Sequence, residues 1–451
     1  MQKTGIIFFP AFDWSLGESH PEREERLLYT QEQILEEGIL DLPQIKQYAP
    51  QIALLSEILK TQAIFPNLRH HDLVAHRIAV GCSLVLGQAL MKKEIKNGFV
   101  LVRPPGHHSN ATVWGNRGFC TLNNEAILVN YLRSTFGIKK VAIIDTDVHH
   151  GDGTQDVFYY DPQVLCVSIH QDGRTLYPGT GFCEEKGGPN SLNSVLNVPL
   201  PPGVGDEGFI YTLENWILPV VEKFKPEIII NSAGQDNHFT DPLASMNVTA
   251  AGYGKITELV NPDLAVLEGG YSIQGALPYV NLAILLALAK EDYSGVIEPQ
   301  TPPQSRIKAS DFRSYLHRLR ERYQTYTPEW TYRKQPQMPA GDWVFRDRNI
   351  YYDTDGIREH RQDYIRQCQN CGGTVLILTE NLNLGEQGIV IRIPFDACKP
   401  CEQAGYDLLE NYLKELKGRD RGKNILFQNQ LHNRLRLWEN GEEVKDFESE
   451  N

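Results

Sequence analysis

Residues 141–158 read VAIIDTDVHHGDGTQDVF, an apolar run followed by two aspartates, two histidines and a third aspartate within eight positions. A short β-branched run bounded by polar groups reads as a buried strand. Three more stretches repeat the pattern: FVLV (99–102) before RPPGHH, IIIN (228–231) before SAGQD, and LAVL (264–267) before EGGY. Helical patterns lie between them, such as EREERLLYTQEQILEEG (22–38) and LVAHRIAVGCSLVLGQALM (73–91). Strands alternating with helices predict an open α/β domain with a mainly parallel sheet covered on both faces. Ligands of such sheets bind beyond the carboxyl ends of the strands, so the four polar clusters are expected to share one crevice.

If the strand stays extended through the cluster, Asp145, Asp147 and His149 face one side, because side chains alternate with period two. Asp and His together suit Zn²⁺ or Fe²⁺. A catalytic metal takes about three protein ligands and keeps a position open for water, so Asp236, after the third strand, is the obvious further donor. A single Asp after a strand is more often a helix cap. Five such residues behind apolar strands favour a site. His107 and His108 follow Pro104-Pro105-Gly106 and read as a general acid–base pair, with Asp145 and Asp152 available to fix their tautomers. Tyr271, after Gly269-Gly270, is a candidate oxyanion donor.

At 451 residues, 41% hydrophobic and 22% charged, the chain is long enough for a large domain plus a smaller one. The net charge of −13 disfavours nonspecific nucleic-acid binding, and the acidic excess lies before Thr301. The N-terminal apolar stretch is interrupted by Pro10 and Asp13, unlike a secretory signal, and LPYVNLAILLALA (277–289) is shorter than a bilayer span. The expectation is a cytoplasmic protein without a membrane partner. EPQTPPQSR (298–306) reads as a linker, which divides the chain into a catalytic domain at 1–295, a linker and helical segment at 296–335, and a C-terminal domain at 336–451.

These motifs resemble those of the metal-dependent histone deacetylase and acetylpolyamine amidohydrolase superfamily. The likeness spans roughly residues 5–290: SHPEREERL (19–27), RPPGHH (103–108), GFCTLNN (118–124), DTDVHHGDGTQDVF (145–158), YPGTG (177–181), GQDNHFTDPLASMNVT (234–249) and LEGGY (267–271). The resemblance implies an arginase-like fold with a mainly parallel sheet of about eight strands. It implies Asp147, His149 and Asp236 as ligands of a catalytic zinc, His107 and His108 with Asp145 and Asp152 as their carboxylates, and Tyr271 as the oxyanion donor. It further implies a structural potassium ion lined by Asp145, Ser168 and the carbonyls of Asp147, His149 and Ile169, and a second cation around Phe158, Asp161 and Val164. Phe119 and Tyr177 would wall a tunnel for an acyl-lysine chain, with Gly270 and Leu243 beside it. LEGGY is closer to the class II branch and its bacterial relatives. Leu243 stands where polyamine-selective relatives can carry an acidic residue. Trp114, in the loop SNATVWGNRG, is expected at the tunnel mouth, and His70, His71 and His76 as surface or helix residues.

Cys368, Cys371, Cys398 and Cys401 form CxxC–x26–CxxC around a β-like stretch, TVLILTENLNLGEQGIVIRI. Four thiolates in two knuckles predict a structural zinc of the zinc-ribbon type in a small C-terminal domain. The basic segments HRLRER (317–322) and KGRDRGK (417–423) hint weakly at a protein or nucleic-acid partner, though solvated charge explains them as well. The function expected is a zinc-dependent deacetylase of acetylated, or otherwise acylated, lysine side chains in proteins. The alternatives are a deacetylase of small acetylated amines such as acetylpolyamines, a silent acyl-ligand binding module, and a two-manganese ureohydrolase. The last is disfavoured by a single complete ligand set.

Overall fold

The computed structural model describes residues 3–65, 73–303, 307–333, 335–416, 423–439 and 441–444. Eight strands form the N-terminal sheet: β1 (Thr4–Phe9), β2 (Ile45–Tyr48), β3 (Asn97–Val102), β4 (Val141–Asp145), β5 (Val164–Gln171), β6 (Val195–Leu200), β7 (Ile228–Ser232) and β8 (Leu264–Val266). All pairings are parallel, in the order β2-β1-β3-β8-β7-β4-β5-β6. The four strands read from the sequence are β3, β8, β7 and β4, four neighbours at the centre of the sheet. Their near-continuous apolar runs reflect burial on both faces. Two hydrophobic clusters fill those faces, one containing Phe99 and Leu165, the other Val100 and Ile143.

The helix Val74–Met91 is the one described helix long and apolar enough to cross a membrane. It packs within the fold against β1, β3 and the helix Asn124–Phe136. His76, on this helix, is buried against Trp14, while His70 and His71 lie outside the described residues. The helix Ala309–Thr325 seats Phe312 and Leu316 in the core of the N-terminal domain. The segment after the proline-rich stretch is thus anchored to that domain, and Arg322 of HRLRER is ion-paired with Glu184. Most of KGRDRGK lies outside the described residues.

The C-terminal sheet also has eight strands: β9 (Thr331–Tyr332), β10 (Trp343–Tyr352), β11 (Ile357–Arg366), β12 (Val375–Asn381), β13 (Glu386–Ile393), β14 (Lys423–Asn429), β15 (Arg434–Glu439) and β16 (Glu442–Val444). They pair in sequence order, all antiparallel except β13 with β14, which the helix Lys399–Leu416 connects. The stretch between the two cysteine pairs is the hairpin β12–β13.

The two sheets meet through buried polar groups. Arg361 Nη1 donates to Asp156 Oδ2 (2.6 Å), Thr112 Oγ1 to Glu359 Oε1 (2.8 Å), and Tyr160 Oη to Asp363 Oδ2 (2.9 Å). Trp114 corrects the expectation of a tunnel-mouth residue. It is fully buried, stacked on Phe65 at 4.0 Å, and its Nε1–H donates to Thr379 Oγ1 of β12 (2.8 Å). A buried indole needs an acceptor, and the C-terminal sheet supplies one.

Candidate active site

The parallel register brings the carboxyl ends of β3, β8, β7 and β4 level, so the polar segments that follow them converge. Strand β4 stops at Asp145, which departs from the extended path expected through His149. The chain turns instead, because each carboxylate captures an amide two residues on. Asp147 N–H donates to Asp145 Oδ1 (3.0 Å), and His149 N–H to Asp147 Oδ1 (2.8 Å). Such local bonds are the ordinary way Asp competes with a strand ladder.

Asp147, His149 and Asp236 present donor atoms all within 4.8 Å of one another, and all three residues are buried. His149 Nδ1 lies 3.1 Å from Asp147 Oδ1 and 3.0 Å from Asp236 Oδ2. The remaining carboxylate oxygens are held by backbone amides: Gly269 N–H on Asp147 Oδ2 (2.7 Å) and Val148 N–H on Asp236 Oδ1 (2.8 Å). Gly269 has to lack a side chain, since a Cβ would fall 2.1 Å from Asp236 Oδ2. Burial would lower His149, yet the two carboxylates raise it to about 10. Two converging buried carboxylates thus draw positive charge into the pocket, and the set of two Asp and one His fits a zinc ion with an open position.

His107 and His108 stand beside this set with rings 4.1 Å apart. His107 Nδ1 is 3.0 Å from Asp145 Oδ2, and its Nε2 faces Asp147 at 3.8 Å. His108 Nδ1 is 2.8 Å from Asp152 Oδ1. Burial works against the charge on both rings. Asp147 and Asp145 overcome it for His107, which rises to about 10, whereas the neighbouring His107 adds to it for His108, which falls to about 3. Each Nδ1 is committed to a carboxylate, which leaves each Nε2 for chemistry. Tyr271 follows β8 in a turn where Gly270 has φ +123°, a conformation that L side chains rarely adopt. Burial raises the Tyr271 phenol well above its ordinary value, so it stays a hydrogen-bond donor at neutral pH.

Phe119 lies edge-on to Tyr271 (5.6 Å) and to His20 (4.4 Å). Tyr177 lies edge-on to His108 (5.1 Å) and His149 (6.3 Å) and is 37% exposed, so it joins the buried site to the surface. Leu243 is half-buried; its N–H and that of Tyr271 donate to the two oxygens of Asp241 (3.0 and 2.6 Å). Ser168, opposite Asp145 in the register of β4 and β5, has its Oγ 2.8 Å from His170 Nδ1, and Ile169 is buried in β5. Asp161 is ion-paired with Arg133, so the expected second cation near Phe158 and Val164 would compete with a guanidinium.

Several supporting residues carry no role in the sequence reading. Glu22 accepts from Arg26 Nη1 (2.8 Å) and Arg103 Nε (2.7 Å), all three fully buried, while Arg26 Nε holds the Gly270 carbonyl (2.7 Å). This ties RPPGHH to LEGGY; Glu22 and Arg26 lie within the motif SHPEREERL at i,i+4 spacing, and Arg103 opens RPPGHH, but nothing in the sequence joins the three. Glu268 Oε2 accepts the N–H groups of Gly106 (2.7 Å) and His107 (2.9 Å). Arg117 Nη2 lies 2.5 Å from Asp152 Oδ2.

In the C-terminal domain, the Sγ atoms of Cys368, Cys371 and Cys398 are 3.6 to 3.7 Å apart, and Cys401 completes the cluster. A tetrahedral ion with Zn–S bonds of about 2.3 Å requires sulfurs roughly 3.8 Å apart. The geometry fits a structural zinc. Asn190 of the N-terminal domain grips this module: its Oδ1 accepts Cys368 N–H (2.9 Å) and its Nδ2 donates to the Gly372 carbonyl (2.8 Å).

Comparison with known proteins identifies the N-terminal domain. The histone deacetylase domain family matches residues 56–287. A probable deacetylase of Archaeoglobus fulgidus is 41% identical over 326 residues, covering 66% of this chain and 89% of that protein. The histone deacetylase-like amidohydrolase of Pseudomonas aeruginosa is 34% identical over 229 residues, 49% of this chain and 58% of that protein. Histone deacetylase 15 of Arabidopsis thaliana is 37% identical over 235 residues, 51% of this chain and 42% of that one. A crystal structure of the HDA15 HD domain superposes with a TM-score of 0.61 at 27% identity, covering 71% of this chain and 94% of that domain. With a zinc-type ligand set, paired histidines and a tyrosine at the ends of the central strands, the chain belongs to the histone deacetylase family of zinc-dependent amidohydrolases.

Proposed function

We propose that the chain is a deacetylase that hydrolyses the amide of N-acetyl-lysine side chains in proteins. The observation that carries this reading is the position of the histidine pair: it adjoins the Asp147, His149 and Asp236 set, while Tyr177 and Phe119 stand as aromatic groups against His108 and Tyr271. Aromatic walls stabilise a methylene stem by removing it from water. Zinc, when bound, polarises an amide carbonyl and acidifies water.

His107 Nε2 takes the proton from the attacking water: a zinc ion held by Asp147 would offset the carboxylate charge that otherwise keeps this ring protonated, and Asp145, on Nδ1, stabilises the charged ring once it forms. The oxyanion that forms at the amide carbon accepts the hydroxyl proton of Tyr271 in a hydrogen bond. The C–N bond then breaks as the leaving nitrogen takes a proton from the His pair. The proton returned to the nitrogen is the one taken from water by His107, and His108, oriented by Asp152 beside that ring, is assigned to hold the leaving nitrogen. Acetate and a free amine leave. The pairing of Asp145 with Ser168 in adjacent strands supports a potassium ion at Asp145, Ser168 and the Asp147, His149 and Ile169 carbonyls, which would steady the turn carrying the ligands. The reading includes a cytoplasmic location, where thiols stay reduced; Cys82, Cys120, Cys166 and Cys183 are buried free thiols.

Small acetylated amines are the second reading, favoured by the half-exposed Asp353 bound to Tyr177, a carboxylate that a cationic amine would meet. Acetate release by the zinc-loaded protein from an acetyl-lysine peptide and from acetylated polyamines, in one assay, separates the two. Faster peptide turnover is expected. Polyamine preference would move the assignment to small amines, and no release from either would leave an acyl-ligand binding module.

A further inference from the structure

The turn between β10 and β11 of the C-terminal domain reaches the site. Asp353 Oδ1 accepts two hydrogen bonds, from Gly118 N–H (3.1 Å) and from Tyr177 Oη (2.9 Å). Asp355 Oδ2 accepts Asn116 N–H (2.6 Å). Tyr352, one residue before, sends its hydroxyl to the Thr112 carbonyl (2.8 Å) and to Glu359 (2.7 Å). One turn of the C-terminal sheet therefore holds the segment from Thr112 to Gly118 at several points.

That segment needs holding. Gly118 has φ +52° and Phe119 φ +69°. A bulky aromatic residue in the left-handed region is strained, and such a conformation persists only where its surroundings enforce it. Gly118 is pressed close to His108, where a Cβ would fall 2.4 Å from His108 Cδ2 and 3.0 Å from Tyr177 Cε1. The ring of Phe119 is thus set by a backbone turn whose Gly118 amide ends on a carboxylate of the other domain. Tyr177, the aromatic group edge-on to His108 and His149, ends on the same oxygen atom. Arg117, one residue before Gly118, pairs with Asp152, which bonds His108, and lies 5.8 Å from the Tyr177 ring centroid.

We infer that Asp353 is a positioning residue for the substrate tunnel, and that the C-terminal domain is a working part of the active site. By receiving both Gly118 and Tyr177 on one oxygen, Asp353 fixes the separation of the two aromatic groups that flank an acyl-lysine stem. The inference rests on the deacetylase reading for its kinetic consequence, but the clamp itself is a property of the fold.

The test compares full-length wild type, Asp353→Ala and Asp353→Asn. Asn keeps an acceptor oxygen and removes only the charge. Two readouts are taken: hydrogen exchange of a peptide containing Gly118, and KM and kcat for acetate release from an acetyl-lysine peptide. Asp353→Ala is expected to speed exchange at Gly118 and to raise KM about tenfold while kcat moves less, the scale of losing one or two hydrogen bonds. Asp353→Asn is expected to restore both to near wild type. Unchanged exchange in Asp353→Ala overturns the clamp, whatever the enzyme does. Faster exchange with unchanged KM overturns the positioning role, as does an Asn variant as impaired as Ala, or equal loss of kcat and melting temperature in both. If wild type releases no acetate, the deacetylase reading fails, and the exchange comparison still decides whether Asp353 orders the Gly118 turn.

Discussion

Asp156, on a helix of the N-terminal domain, and Arg361, on strand β11, form a buried ion pair with Oδ2 and Nη1 2.6 Å apart. Arg348 joins the same carboxylate, Arg361 also reaches Asp363 (2.7 Å), and Ala111 N–H donates to Asp156 Oδ2 (2.9 Å). The domains are therefore joined through charges that have no water to fall back on.

Removing Arg361 leaves these carboxylates short of a partner. Breaking a buried pair from one side costs about 3–5 kcal/mol. Arg361→Ala is expected to lower the melting temperature markedly, more than the Asp156→Asn and Arg361→Met double change. A wild-type melting curve for Arg361→Ala would show that the pair does not hold the interface.

The same pair gives a pH dependence. Burial raises the Asp156 carboxyl, but Arg348 and Arg361 pull it the other way and win, so it is held below its ordinary value. A depressed folded value means stability that is complete above the unfolded value near 3.9 and is lost as pH falls below it. The gap in melting temperature between wild type and Asp156→Asn is expected to be widest at neutral pH and to narrow steadily below about pH 4.

Tyr271→Phe removes the hydroxyl proposed as the oxyanion donor while keeping the ring that packs on Phe119. Turnover is expected to fall about 10²–10³-fold with little change in melting temperature. Turnover like that of wild type would exclude Tyr271 from the reaction.

Arg117→Met tests the outer partner of the histidine pair. Burial raises the Asp152 carboxyl, but the charge of Arg117 more than reverses this and keeps it ionised for His108. A kcat loss of about 10- to 100-fold is expected, the usual effect of removing a supporting partner. An unchanged kcat would show that Asp152 needs no help.

Cys371→Ser should leave the protein one zinc short by elemental analysis and lower its melting temperature. The module it loosens is bound to Asn190 of the N-terminal domain. Full zinc content in this variant would rule out the four-cysteine site.

The sequence by itself determined what is carried by local pattern. The runs at 99–102, 141–144, 228–231 and 264–267 are apolar because central strands are buried on both faces, and they became four adjacent strands. The metal-ligand candidates and the cysteine knuckles were legible because ligand chemistry demands particular side chains at short spacing. Tertiary structure alone decided the rest. Trp114 reads as a loop aromatic near a site, yet its partner Thr379 is 265 residues away. Asp353 carries no sequence signal of a role, yet it meets Tyr177 across 176 residues. Neither pairing leaves a periodicity or spacing in the chain, because contacts between distant segments are selected by shape and hydrogen-bond complementarity after both sheets exist. The chemistry of the site was written in short motifs, whereas Gly118 and Tyr177 beside it meet a carboxylate of the C-terminal sheet that no motif announces.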